Sequence, residues 1–208
     1  MTTRSMKKRG GAAARASSLI SHPSDFRKAV FLDRDNTVIA DMEFSTNRAK
    51  LRPLPGAMGA LRRLQEAGYL LIIVTNQSGV ARGRFSEERL RRFHEHFLHR
   101  FERDTVRLAG IYYCPHYADG KVAEYAIACD CRKPQPGMLL RAARELGVDP
   151  KQSWMVGDRP ADIGAGRAAG CRTIRVGSAE WSDSDPRPDF RAPDLAGAAK
   201  FILGDDER

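Results

Sequence analysis

Long apolar runs are absent from this 208-residue chain. Nowhere do 18 consecutive apolar residues occur, so no segment reads as a membrane-spanning helix. The first 25 residues, MTTRSMKKRGGAAARASSLISHPSD, lack the continuous apolar stretch of a secretory signal, and no acid precedes Asp25. They read as a disordered basic arm over residues 1–25, with a transit peptide left open by their Arg and Ser content. Aromatic residues are few, at 8%, and the 35 Lys and Arg are not interleaved with them as a nucleic-acid groove requires. The net charge of +9 is instead spread over the arm (Arg4, Lys7, Lys8, Arg9, Arg15) and over helix faces such as EERLRRFHEHFLHRFER, whose simplest role is solvation. No internal repeat and no second domain are evident, so residues 26–208 read as one domain large enough to bury a full core. The expectation is a cytoplasmic monomer with no nucleic-acid and no membrane partner.

Cysteine is also scarce. Four are present, too few and too clustered for a disulfide framework. Cys114, His116, Cys129 and Cys131 fall within 18 residues as C-x-H-x12-C-x-C. Three thiolates and an imidazole make a closed tetrahedral set for Zn²⁺, and a closed set leaves no open position for chemistry, so this zinc reads as structural. Cys171 has no partner in sequence and reads as core.

What the chain does have is short apolar runs ending on polar residues. These are KAVFLD (28–33), YLLIIVTN (69–76), LAGIYYC (108–114), SWMVGD (153–158) and CRTIRVG (171–177). Continuous rather than alternating runs predict strands covered on both faces. Helical patterns lie between them at 56–68, from Ser86 through FER, at 136–147, at 159–170 and at 194–203; several begin near Pro or Ser and end at Gly. The alternation predicts an α/β, Rossmann-like, doubly wound parallel sheet. In such sheets the ligand crevice lies beyond the carboxyl ends of the strands. Asp33-Arg34-Asp35, Thr75-Asn76-Gln77-Ser78 and Gly157-Asp158 should therefore meet at one edge.

Three carboxylates, Asp33, Asp35 and Asp158, without His or Cys among them, suit a hard divalent cation such as Mg²⁺. Thr75, Asn76, Ser78 and the amides around Gly79 offer neutral donors to an anion. Arg132 and Lys133, just before a helix starting near Pro136, add a planar fork and a point charge. Singly, each cluster has an ordinary explanation as a turn, a loop or a helix cap. Together, in one order at successive strand ends, they are the ingredients of phosphoryl transfer.

On these residues the chain resembles the haloacid dehalogenase (HAD) superfamily of phosphatases: DRDNT matches its D-x-D-x-T motif, VTNQSG its Ser/Thr motif, Lys133 its lysine, and GDRPADI its acidic motif. The resemblance implies Asp33 as nucleophile and Asp35 as general acid/base. It implies Thr75 and Lys133 as stabilisers of the transferring phosphoryl group, and Asp33, the Asp35 carbonyl and Asp158 as Mg²⁺ ligands. It further implies substrate contacts from Asp41, Asn76, Gln77, Ser78, Arg132 and Arg159. Within the superfamily, IYYCPH…CDCRKPQPGM with VTNQSGVARGRF is similar to the heptose 1,7-bisphosphate phosphatases, and less closely to the histidinol-phosphate phosphatases. That branch implies a small phosphorylated-sugar substrate, a role in lipopolysaccharide or other surface-glycan synthesis, no large cap domain, and a zinc loop forming part of the rim. Asn36 stands where the family usually has glycine, Arg159 where it often has lysine, and Met42, Glu43 and Phe44 where it presents a glycine- and tyrosine-containing loop. A polynucleotide 3′-phosphatase and a non-catalytic sugar-phosphate-binding protein are the competing readings.

Overall fold

Six strands, β1 (Ala29–Leu32), β2 (Leu70–Asn76), β3 (Leu108–Cys114), β4 (Trp154–Gly157), β5 (Arg172–Val176) and β6 (Phe190–Ala192), form one sheet in the order β3-β2-β1-β4-β5-β6. Every pairing is parallel. The computed structural model describes residues 26–178 and 180–205; the basic arm expected over residues 1–25 lies outside them. Among the described residues no helix is long and apolar enough to cross a membrane.

The apolar runs become strands because both faces of the sheet are covered. Val30, Leu32, Leu71 and Ile73 point into one core with Leu61, Leu64, Phe93, Phe97 and Phe101, from the helices α1 (Ala57–Glu66) and α2 (Glu87–Arg103). Ala29, Phe31, Ile72 and Val74 point into the other, against Met138, Leu139 and Ala142 of α3 (Gly137–Leu146) and Ala165 of α4 (Pro160–Ala169). A fifth helix, α5 (Leu195–Leu203), closes the first face. Successive residues thus go to opposite faces with the period of two that a strand imposes. As expected, Ser86 caps α2, its hydroxyl accepting from the Arg89 amide at 3.2 Å. Cys171 is buried, as its reading as core requires.

Strand order reverses at β1, which has β2 on one side and β4 on the other. That is the switch point where an open α/β sheet leaves a crevice beyond its strand ends. Two excursions frame it, residues 33–56 after β1 and residues 115–136 after β3. Apart from the isolated bridges of Ile39 with Asp35 and Pro53 in the first, each carries a single turn of 3₁₀ helix, Arg48–Lys50 and Ala123–Tyr125, and neither forms a cap domain. One strand was unforeseen. β6 has three residues, follows the proline-rich DPRPD and pairs only with β5, so it shows neither an apolar run nor a period.

Candidate active site

Asp33 continues β1 by one residue, its amide donating to the Val156 carbonyl at 2.9 Å. Its carboxylate leaves the sheet edge and meets Lys133, Oδ1 to Nζ at 2.6 Å. The same ammonium reaches Asp162 Oδ1 at 2.6 Å and the Val74 carbonyl at 2.7 Å, so each of its three N–H bonds has an acceptor. Lys133 is only 3% exposed and comes from the loop before α3. Asn76, the last residue of β2, fixes that loop: its Oδ1 accepts from the Lys133 amide and its Nδ2 donates to the Lys133 carbonyl, both at 3.0 Å. Burial alone would push the lysine toward neutrality; the two facing carboxylates outweigh it and hold its pKa above the ordinary value.

Asp158 follows β4. Carboxylate oxygens of Asp33, Asp158 and Asp162 lie within 4.8 Å of one another. Desolvation, then the charges of Asp33 and Asp162, raise the Asp158 pKa to about 7, and burial raises that of Asp33 against the pull of Lys133. Asp158 Oδ1 is buried and has no hydrogen-bond partner among the described residues. Three carboxylates face one buried ammonium and, 3.9 Å from Asp158 Oδ2, the exposed Arg159 guanidinium; with one oxygen unpaired they are still short of positive charge, and an oxygen-preferring divalent cation fits that deficit. Gly157 makes the trio compact. A Cβ at this position would lie 2.4 Å from Asp162 Cβ, closer than any side chain tolerates.

Asp35 points elsewhere. Its carboxylate accepts from Arg34 Nε and Nη2 (3.1 and 2.9 Å to Oδ2), from the Met42 amide (3.1 Å) and from Gln77 Nε2 (3.2 Å). Burial still leaves its pKa above the ordinary value. The Asp35 side chain therefore stands outside the carboxylate trio, and only its backbone carbonyl remains for the metal role that the resemblance implies. Gln77 also donates to Thr75 Oγ1 at 2.9 Å. Asn36 adopts φ +57, a left-handed conformation that Asn tolerates better than most residues.

Asp33, Asp35, Thr75, Asn76, Gln77, Ser78 and Lys133 line one cleft of about 510 Å³. Asp41, Arg132 and Arg159 stand on its walls together with Met42, Glu43 and Phe44. Asp41 Oδ1 accepts from the Glu43 amide at 2.8 Å, and Glu43 and Phe44 both have positive φ, 49° and 54°. Phe44 is left 53% exposed at the cleft mouth, facing the Arg82 guanidinium at 5.7 Å. Arg82 also stacks on Tyr117 at 4.0 Å, so the two excursions meet at this side chain.

Cys114, His116, Cys129 and Cys131 come together as the spacing predicts. Their contacts run from 3.3 Å (Cys131–Cys129 and Cys131–His116 Nδ1) through 3.5 Å (Cys114–Cys129) to 3.7 Å (Cys114–His116 Nδ1). These are not disulfide distances; all four cysteines of the chain are free. A tetrahedral zinc site has ligand–ligand edges of about 3.5–3.8 Å, so the cluster needs only a slight expansion to hold a metal ion. Cys131 is two residues from Lys133, and Arg132 between them donates to the His116 carbonyl at 3.1 Å.

A HAD-hydrolase-like family profile matches residues 130–198. The D-glycero-beta-D-manno-heptose-1,7-bisphosphate 7-phosphatase of Pasteurella multocida is 41% identical over 181 residues, covering 86% of this chain and 98% of its own. The chain belongs to this phosphatase family. The enzyme of the same name from Haemophilus influenzae is 48% identical over 142 residues, 68% of this chain and 77% of its own. Among solved structures, the D,D-heptose 1,7-bisphosphate phosphatase of B. bronchiseptica, complexed with magnesium and phosphate, superposes with a TM-score of 0.72 at 31% identity, covering 86% of this chain and 99% of that one.

Three contributors to the site of this phosphatase escaped the sequence. Asp162 sits three residues into α4, where an acid is an ordinary capping residue; its Oδ2 does accept from the Arg159 amide at 2.9 Å, which hides its second contact with Lys133. The sequence assigns Arg34 no role within the Asp33-Arg34-Asp35 cluster, yet it is 2% exposed. His94 looked like part of a charged helix face and is buried beside it.

Proposed function

We propose that this phosphatase removes the 7-phosphate of D-glycero-D-manno-heptose 1,7-bisphosphate, the β anomer being the form in its relatives' names, for nucleotide-activated heptose and surface-glycan synthesis. In this reading Asp33 attacks phosphorus, and the bond from phosphorus to the C7 oxygen breaks as Asp35 protonates that oxygen. The product is an aspartyl-phosphate on Asp33. Asp35, now ionised, takes a proton from water; the hydroxide oxygen attacks phosphorus, the bond to Asp33 breaks, and inorganic phosphate leaves. Thr75 and Lys133 stabilise the phosphoryl oxygens through their hydroxyl and ammonium. Asp41, Asn76, Gln77, Ser78, Arg132 and Arg159 are the proposed substrate contacts. Since both side-chain amide groups of Asn76 are engaged by the Lys133 backbone, its contribution is through position.

Mg²⁺ would be held by Asp33, Asp158 and the Asp35 carbonyl, with Asp162 beside them, and supplies positive charge to the phosphoryl oxygens when bound. Zn²⁺ would be held by Cys114, His116, Cys129 and Cys131 and supplies a structural tie. The observation that carries the reading is the buried Asp33–Lys133 contact at 2.6 Å beside an unpaired Asp158 oxygen. Phosphate release in Mg²⁺, measured on both heptose bisphosphate anomers, histidinol phosphate, fructose 1,6-bisphosphate and a 3′-phosphorylated oligonucleotide, tests it. The heptose bisphosphate should be turned over fastest, and Asp33→Asn should lower its turnover by about 10³-fold or more. Faster turnover of any other compound would reassign the substrate, and undiminished release by Asp33→Asn would remove the nucleophile.

A further inference from the structure

Asp35 must hold its proton at the leaving oxygen, and beside single contacts from the Met42 amide and Gln77 it is Arg34 that grips both of its carboxylate oxygens. That guanidinium is 2% exposed and lies over the Phe93 ring at 5.4 Å. Nε and Nη2 serve Asp35, while Nη1 lies 3.1 Å from Nε2 of His94. An arginine only donates. The His94 Nε2 is therefore the acceptor, its ring is neutral, and its proton is on Nδ1, which is buried without a partner among the described residues. The Tyr113 ring packs against the imidazole, tilted, with centroids 5.1 Å apart. The array runs from a helix on one face of the sheet, through one planar fork, to the carboxylate.

We propose that His94 and Arg34 are positioning residues for the reaction: His94, by accepting from Arg34, fixes the rotation of the guanidinium and with it the orientation of the Asp35 carboxyl group. The proposal rests on Asp35 being the general acid/base. An arginine has four side-chain torsions, and its three contacts with Asp35, Nε and Nη2 to Oδ2 and Nη2 to Oδ1 at 3.2 Å, tie the fork to the carboxylate but not to a second point of the fold. The contact of Nη1 with His94 supplies that second point and fixes the rotation of the pair. Without it, Nη1 is buried and unpaired, and the fork turns toward another acceptor and carries Asp35 with it.

The test uses the leaving group. A sugar alkoxide needs its proton from Asp35, whereas p-nitrophenolate departs without one. kcat/KM is compared for heptose bisphosphate and p-nitrophenyl phosphate in the wild type, His94→Phe, His94→Gln, Arg34→Lys and Asp35→Asn. His94→Phe and Arg34→Lys are expected to lose about 10- to 100-fold on the sugar and less than about threefold on the aryl ester, a loss up to the low end of the roughly 10²- to 10⁴-fold a general acid contributes, as befits an acid displaced and not removed. His94→Gln, whose amide oxygen accepts in place of Nε2, should recover most of the sugar activity. Equal losses on both substrates in a folded variant, or no recovery by Gln, would reduce His94 to a packing residue and overturn the proposal. Arg34→Lys, which keeps the charge and loses the fork, gives the same decision if His94→Phe does not fold. If Asp35→Asn itself shows no leaving-group selectivity, the acid/base reading fails, which is a distinct outcome from failure of the array alone.

Discussion

Lys133 is a single ammonium set among Asp33, Asp162 and a carbonyl, 3% exposed. Removing one partner of a buried ionic group costs about 3–5 kcal/mol, because the remaining charges lose their compensation. Lys133→Met is accordingly expected to lower the urea-unfolding free energy by about that amount in metal-free buffer, with part of the loss restored by Mg²⁺. A second expectation concerns acid. Burial, then the Arg34 charge, lowers the His94 pKa from 6.5 to about 3. Above pH 6.5 neither the folded nor the unfolded chain protonates it. As pH falls from 6.5 toward 3 the unfolded chain gains a proton that the folded one refuses, so stability falls. From pH 6.5 to 5 the contribution is about 2 kcal/mol. The carboxylates also titrate in acid, so the comparison that isolates the ring is against His94→Gln, whose unfolding midpoint should fall less over that window. The pairing of His94 with Arg34, 60 positions away in sequence, was not legible: a histidine at one helical position carries no sign of which buried donor it will meet.

At the scale of elements, strands β1 to β5 were legible because each is a continuous apolar run with both faces buried. β6 was not, since three residues between prolines carry no period. The strand-end clusters were legible for a topological reason: the carboxyl ends of parallel strands share one edge, so polar residues following apolar runs must converge. Asp162 was missed because its element gives it an adequate local purpose. Its second purpose depends on how closely α4 approaches β4, and Gly157 sets that distance. Gly157→Ala would place a methyl 2.4 Å from Asp162 Cβ, force the N-terminus of α4 outward and separate Asp162 from Lys133. The variant is expected to lose about 1–3 kcal/mol of stability from overpacking. In addition, its activity should fall at least about tenfold with a raised Mg²⁺ requirement, read from initial rates against Mg²⁺ concentration; unchanged rates would mean that Asp162 is only a cap.

For the molecule as a whole, the Cys114–His116–Cys129–Cys131 cluster joins the end of β3 to the loop that delivers Lys133. The junction is tight: a Cβ on Gly137, the first residue of α3, would lie 2.4 Å from the Asp130 carbonyl oxygen. Freshly purified protein is expected to contain about one equivalent of zinc by elemental analysis, and less than half an equivalent would count against a structural site. Removing the metal with a strong chelator should lower both the melting temperature and kcat, because folding free energy and the placement of Lys133 draw on the same loop. Readdition of zinc, and not of Mg²⁺ alone, should restore both.

The division of labour around Arg82 has a further consequence. The carboxylates and the lysine proposed to react sit at the roots of the two excursions, Asp33 and Asp35 directly after β1 and Lys133 just before α3, whereas Phe44 and Tyr117, which flank Arg82, lie farther along them. Selectivity carried there would be carried on detachable parts. Grafting residues 41–47 or 117–128 between related chains should yield chimeras that keep their hydrolytic power and exchange their taste in sugars.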